Sequence, residues 1–180
     1  AEFALLLQLY RRLPRKGRRW VVRTISPSFT VGAMCIIERA DGAVLLVRHS
    51  YRDRWGVPGG LLKRGEETDV GARREVREEV GLDVELLGEP AVVVDAKPQR
   101  VDLVYRARPA RGADPDAVEP NSVEIIEAAW FPRTELPALQ YETTTGLMAL
   151  ARSANAPQAD PIVVRRPSIA RQPVPPLPLR

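Results

Sequence analysis

Glu75, Glu78 and Glu79 crowd together in the stretch "ARREVREEV". Positions three and four apart on a helix are neighbours on one face, so residue 75 meets both 78 and 79 one turn further on. Three carboxylates placed that way repel one another unless positive charge stands among them. A divalent cation is one source of that charge. The chain of 180 residues has a single His and a single Cys, too few for a nitrogen–sulfur site. Clustered carboxylates combined with carbonyl and water oxygens suit a hard ion such as Mg²⁺, which also takes substrate phosphates. The plainer alternative is a solvated helix face on which Arg73, Arg74 and Arg77 neutralise the glutamates as surface pairs. Ala72, Val76 and Val80 form the opposite stripe and would hold such a helix against a core.

The residues around this cluster weigh against the plain alternative. Gly60 is followed by Glu66, then Arg74-Glu75, an aliphatic Val76, Glu78-Glu79, Gly81 and an aliphatic Leu82. Chance agreement at seven such Gly and charged positions is roughly one in 10⁸ per starting point at ordinary residue usage. The pattern resembles the Nudix box, the signature of the Nudix hydrolase superfamily, at every specified position over residues 60–82. Over about 29–150 the similarity is looser. It includes "RWGVPGG" before the box and "VEIIEAAWF" after it.

That resemblance implies an α/β fold, an α/β/α sandwich around a mixed β-sheet, in which the box forms a strand-loop-helix unit. It implies hydrolysis of a phosphoanhydride in a nucleotide or nucleoside-diphosphate-linked compound by metal-activated water, with Mg²⁺ or Mn²⁺. Glu75, Glu78, Glu79 and the backbone carbonyl of Gly60 would ligate metal. Arg74 would hold a carboxylate through a two-pronged hydrogen bond, for which a planar guanidinium is suited. Glu66 would brace the loop, and Gly81 would close the helix. The family draws its general base either from the helix or from a later loop, so Glu79 is the first candidate and Glu124 and Glu119 are candidates outside the box. Arg54, Trp55 and His49 flank the connection into the site as candidate substrate contacts. Trp55 is able to stack on a base or to pack beneath the loop, and His49 could contact phosphate, although a lone His is more often structural.

The elements that must position these residues are legible in outline. Apolar and β-branched runs predict strands at Phe29–Glu38 and Ala43–Arg48, and Asp41-Gly42 between them predicts a tight hairpin with the two strands paired antiparallel. "YRDRWGVPGG" leads to a short strand near Leu61, and helical spacing runs from Thr68 to Val80, with Gly81 as its stop. Strands follow at Val84–Leu87, Val92–Asp95 and Arg100–Arg106. In the last, Val101, Leu103 and Tyr105 alternate with Asp102, Val104 and Arg106, which predicts one apolar face. "PARGADPDAVEPNS" reads as a loop able to carry substrate-reading residues, "VEIIEAAWF" as a strand, and Tyr141–Arg152 as a closing helix.

Charge divides the chain into three parts. Residues 1–25 carry seven basic side chains against one acidic, residues 152–180 five against one, and the stretch between 15 against 21. A net +4 therefore conceals an acidic middle, which argues against an extended nucleic-acid footprint there. We expect a basic amphipathic segment at 1–25, a catalytic domain at 26–154 and an extended Pro-rich tail at 155–180. Phe3, Leu6, Leu7, Tyr10 and Leu13 predict a short helix ended by Pro14, whose basic continuation, residues 11–23, could touch RNA or an anionic membrane. No apolar run is long enough to span a bilayer, and in "FALLLQLY RRLPRKGRR" the charges follow the apolar stretch, the reverse of an export signal. With one cysteine, Cys35, in an apolar run, a cytoplasmic setting is expected. A homodimer is compatible with the family resemblance. Two other functions compete with the nucleotide hydrolase: an RNA 5′-end pyrophosphohydrolase with the N-terminal arginines as clamp, and a non-catalytic nucleotide-binding regulator.

Overall fold

The computed structural model describes residues 13–18, 24, 26 and 28–155. The expected helix before Pro14 and the Pro-rich tail lie outside the described residues, apart from a single turn at 15–18 just after Pro14.

Strand β1 (Thr30–Ile37) is a continuous apolar run, and from Gly32 onward it is buried on both faces. A strand buried on both sides belongs in the middle of a sheet with helices above and below. Its neighbours are β4 (Gly59–Leu61), antiparallel, and β6 (Arg100–Pro109), parallel; β5 (Val84–Asp95) pairs antiparallel with β6 at the far edge. The order β4-β1-β6-β5 makes a mixed sheet. A second, antiparallel sheet has the order β3-β2-β7, from β2 (Val44–His49), β3 (Trp55–Gly56) and β7 (Ile125–Phe131).

Helix α1 (Thr68–Val80) and helix α2 (Tyr141–Asn155) take opposite sides. Odd-numbered β1 residues Ala33, Cys35 and Ile37 join Leu45, Val47 and the stripe Ala72, Val76 and Val80 of α1. Even-numbered Met34 and Ile36 join Val44, Leu46, Val104 and the α2 residues Ala149 and Leu150. The two-residue period of a strand thus assigns alternate side chains of one segment to two helix-covered layers. Each large aliphatic side chain fully buried there contributes about 1.5–3 kcal/mol. The expected α/β/α arrangement is the one observed.

Three local expectations are corrected. The β1–β2 turn exists, with Gly42 N–H donating to the Arg39 carbonyl and Arg39 N–H to that of Ala43, each at 2.9 Å. The strands it joins nevertheless pair through their backbones only at the Glu38–Val44 bridge and then enter different sheets. Each has both edges occupied by other partners, so a hairpin ladder has no room to extend. The two strands expected at 84–87 and 92–95 are one strand whose register shifts between Leu87 and Ala91, at Gly88. Finally, the Asp102/Val104 face of β6 is not a polar surface: Asp102 is 5% exposed and Val104 is fully buried.

Candidate active site

The box folds as strand β4, a turn, and α1. Its glycines are explained by space and by dihedral angle. A Cβ on Gly60 would sit 2.7 Å from the Glu75 carboxylate, and one on Gly59 would strike the backbone of β1. Gly81 ends α1 in the left-handed region at φ 68°, its N–H donating to the Arg77 carbonyl, where a side chain is strained.

Arg74 is the hub of the acidic cluster. Its Nε and Nη2 donate to the two oxygens of Glu66 at 2.6 and 2.8 Å, and Nη1 donates to Glu75 at 2.7 Å and to Glu78 at 2.9 Å. Glu66 also accepts from the Lys63 N–H at 2.8 Å, tying the loop to the helix. Hydrogen bonds from Arg74 and then from Lys63 hold the Glu66 carboxyl down to about 2. Glu78 is half-exposed, lies between Arg74 and the Lys63 ammonium, and is kept below the usual carboxylate range chiefly by Arg74. Arg73 and Arg77 turn away to Asp69 and Asp83. Of the three arginines that could have neutralised the face, only Arg74 does.

Among the described residues, Glu79 is paired with no arginine. It is 7% exposed, one oxygen accepts from the Gly59 N–H at 3.0 Å, and the other lies 3.8 Å from His49 Nε2. Burial pushes its pKa up, opposed by His49 and the Gly59 N–H and reinforced by the nearby Glu75 charge. Glu79 and Glu75 open into a cleft of about 460 Å³ that is also lined by His49, Tyr51, Arg52, Gly59, Gly60, Arg100, Glu124 and the α2 residues Glu142 and Thr143.

The other sequence-based candidates divide. Glu124 lines the cleft, with Tyr51 Oη 3.5 Å from its carboxylate. Glu119 remains exposed on its loop outside it. His49 is in place. Trp55 is not: its ring packs edge-on against Phe131 at 4.8 Å within the α2-side core, so it is a packing residue beneath the connection. Arg54 is exposed away from the cleft, and its carbonyl accepts from Gln140 Nε2 at 2.9 Å. Glu78 does not line the cleft either, being drawn to Arg74 and Lys63. Sequence reasoning missed Gln140, whose amide nitrogen lies 3.4 Å from His49 Nδ1, and Thr143, whose hydroxyl accepts from the Val57 N–H. Both sit at the start of a helix, where Gln and Thr are commonplace, so their types carried no signal. Asn121 ties the long loop to the end of α1, its N–H donating to the Glu79 carbonyl at 2.8 Å.

Among the described residues, no three His, Cys, Asp or Glu side chains are gathered closely enough to hold a metal ion by themselves. The donors still fit Mg²⁺ or Mn²⁺, which commonly use one or two carboxylates and leave their other positions to water and phosphate. Among the described residues Glu79 is a buried carboxylate with no arginine or lysine partner, Glu75 lines the same cleft, and both are hard oxygen donors. Among the described residues no helix is long and apolar enough to cross a membrane.

Known proteins agree with this geometry. The NUDIX domain family matches residues 28–149. A MutT-like protein from Streptomyces ambofaciens is 32% identical over 63% of this chain and 70% of its own length. The 8-oxo-dGDP phosphatase NUDT18 of Homo sapiens is 32% identical over 67% of this chain, which spans only 38% of that protein. A NUDIX hydrolase structure from Nitrosomonas europaea superposes with a TM-score of 0.61 at 26% identity, covering 73% of this chain and 76% of the other. With a complete box on a strand-turn-helix unit and a family match over most of its length, this chain belongs to the Nudix hydrolases.

Proposed function

We propose that the chain hydrolyses a phosphoanhydride in a nucleotide or nucleoside-diphosphate-linked compound, with Mg²⁺ or Mn²⁺ held by Glu75, Glu79 and the Gly60 carbonyl. The observation that carries this reading is Glu79, a buried carboxylate facing the cleft with, among the described residues, no arginine or lysine paired to it. The bound metal supplies charge neutralisation for the diphosphate and acidity for a water molecule. The chain's own residues do the rest. Glu79 is the first candidate for the proton acceptor from the attacking water, with the His49 ring 3.8 Å from its second oxygen. Glu124, across the cleft, is the second candidate for that role. Arg74 keeps Glu75 in position and holds Glu66 against the loop, so the donor geometry is set before substrate arrives.

The relatives suggest the first substrates to try. Named similar proteins include an 8-oxo-dGDP phosphatase, an ADP-ribose pyrophosphatase and an NAD-capped RNA hydrolase. Metal-dependent product release from 8-oxo-dGDP, ADP-ribose and NAD-capped RNA, wild type against Glu79→Gln, tests the proposal. We expect turnover of at least one substrate and a fall in kcat of roughly 10²- to 10⁴-fold in the variant. Equal rates in the two proteins would remove Glu79 from the mechanism.

A further inference from the structure

The cleft has a cationic side that the box does not account for. Arg100, the first residue of β6, donates from Nε to both oxygens of Asp102 at 2.8 Å. Asp102 lies two residues further on the same strand face and is 5% exposed. Removing a carboxylate from water carries a penalty that its partner must offset, so a pair whose only task was packing would serve less well than two apolar residues. The pairing also leaves something over. Among the described residues, neither terminal nitrogen of Arg100 has a hydrogen-bond acceptor, while the residue lines the cleft and its charge acts on Glu142 from further off. Arg52, the other arginine there, is already paired with Glu142 at 3.2 Å.

Gly32 connects this pair to the proposed metal site. It is the register partner of Asp102 in the parallel β1–β6 ladder. A Cβ on Gly32 would run into the Asp102 carboxylate, with Arg100 Nη2 3.0 Å and the Gly60 carbonyl oxygen 3.2 Å from the same point. The free end of Arg100 and the carbonyl assigned to the metal are thus neighbours above one residue that lacks a side chain. Resting on the phosphoanhydride reading, we infer that Arg100 is a substrate-binding residue that takes the diphosphate oxygens turned away from the metal, and that buried Asp102 is the positioning residue that aims it. Holding a guanidinium by Nε leaves its two terminal amino groups to present as a fork, a geometry matched to phosphate oxygens. Gly32 is the space in which the pair sits.

The experiment is calorimetric binding of α,β-methylene-ADP, a diphosphate whose bridge is not hydrolysed, in the presence of Mg²⁺. Wild type, Arg100→Gln, Arg100→Lys, Asp102→Asn and the distant exposed arginine variant Arg106→Gln are compared, with thermal melts to confirm folding. Loss of charge-assisted bonds predicts roughly 10- to 100-fold weaker binding for Arg100→Gln. Lys at 100 recovers part of the loss, and Asp102→Asn weakens binding although the cation remains. Arg106→Gln binds as wild type does. Wild-type affinity in a folded Arg100→Gln protein overturns the inference and leaves the hydrolase reading standing. A wild type that neither binds the probe nor turns over any nucleotide overturns that reading, and this inference with it.

Discussion

At the scale of single residues, the acidic helix combines two solutions to one electrostatic problem. Glu66, Glu75 and Glu78 share the guanidinium of Arg74, as surface pairing would have it, whereas Glu79 is withdrawn from water without such a partner. Glu79, together with the Glu75 oxygen that Arg74 does not take, is what this leaves open to a cation. Gly60 is the sharpest point of this design, because a Cβ there would sit 2.7 Å from the Glu75 carboxylate. Gly60→Ala is therefore expected to push Glu75 aside and lower metal-dependent turnover by at least tenfold while the protein stays folded, checked by activity alongside circular dichroism. Cys35 makes the opposite case. It is fully buried, and burial pushes its thiol up to about 12. A thiol-reactive dye should leave the native protein unlabelled and its activity intact, and should react only after denaturant is added.

At the scale of elements, α1 does two jobs with two faces. Ala72, Val76 and Val80 anchor it against β1 and β2 with no exposure at all, which gives the carboxylates opposite a rigid base. Its end is defined by Gly81 in the left-handed region, directly after the residues that face the cleft. Gly81→Ala keeps every contact and adds only backbone strain, so chemical denaturation should show a loss of about 1 kcal/mol with activity retained. A change of several kcal/mol would mean that the terminus is braced by something more than its backbone angle. The loop after β6 behaves as part of the same unit. Asn121 donates to the carbonyls of Glu79 and Arg77, which brings Glu124 to the cleft.

At the scale of the whole molecule, the buried Glu79 sets stability against function. Its folded pKa lies above the unfolded value, so the folded state favours the protonated form. Below the unfolded pKa the group is protonated in both states and neutral in effect. Above it, as pH rises through the folded pKa, the cost of burying the charge grows to its full value. Without metal, Glu79→Gln should therefore melt no lower than wild type near neutral pH. Adding Mg²⁺ or Mn²⁺ should raise the wild-type melting temperature more than that of the variant, because metal binding to the folded state stabilises it by mass action. The wild-type response should fade on acidification at a higher pH than an ordinary Glu would dictate. A thermal-shift series across pH, with and without metal, measures all three.

Local pattern determined much of this. The α1 boundaries, its apolar stripe, its stop at Gly81 and the box glutamates are all short-range features, set by helical periodicity, one backbone angle and residue type within a single turn or two. The sandwich was implied by the resemblance of the box to the Nudix signature, and the strands buried on both faces agree with it. Other features depended on which distant segments meet. The β1–β2 hairpin parted because other strands compete for the same edges, and Trp55 went to the core because Phe131 was there to pack against. Gln140 came to the cleft from just before α2, and Arg100 from β6 with Asp102 paired to it. A hydrogen-bonding partner dozens of residues away leaves no mark on the local sequence, so only the tertiary structure decided which polar residues surround the carboxylates that the sequence had already placed side by side.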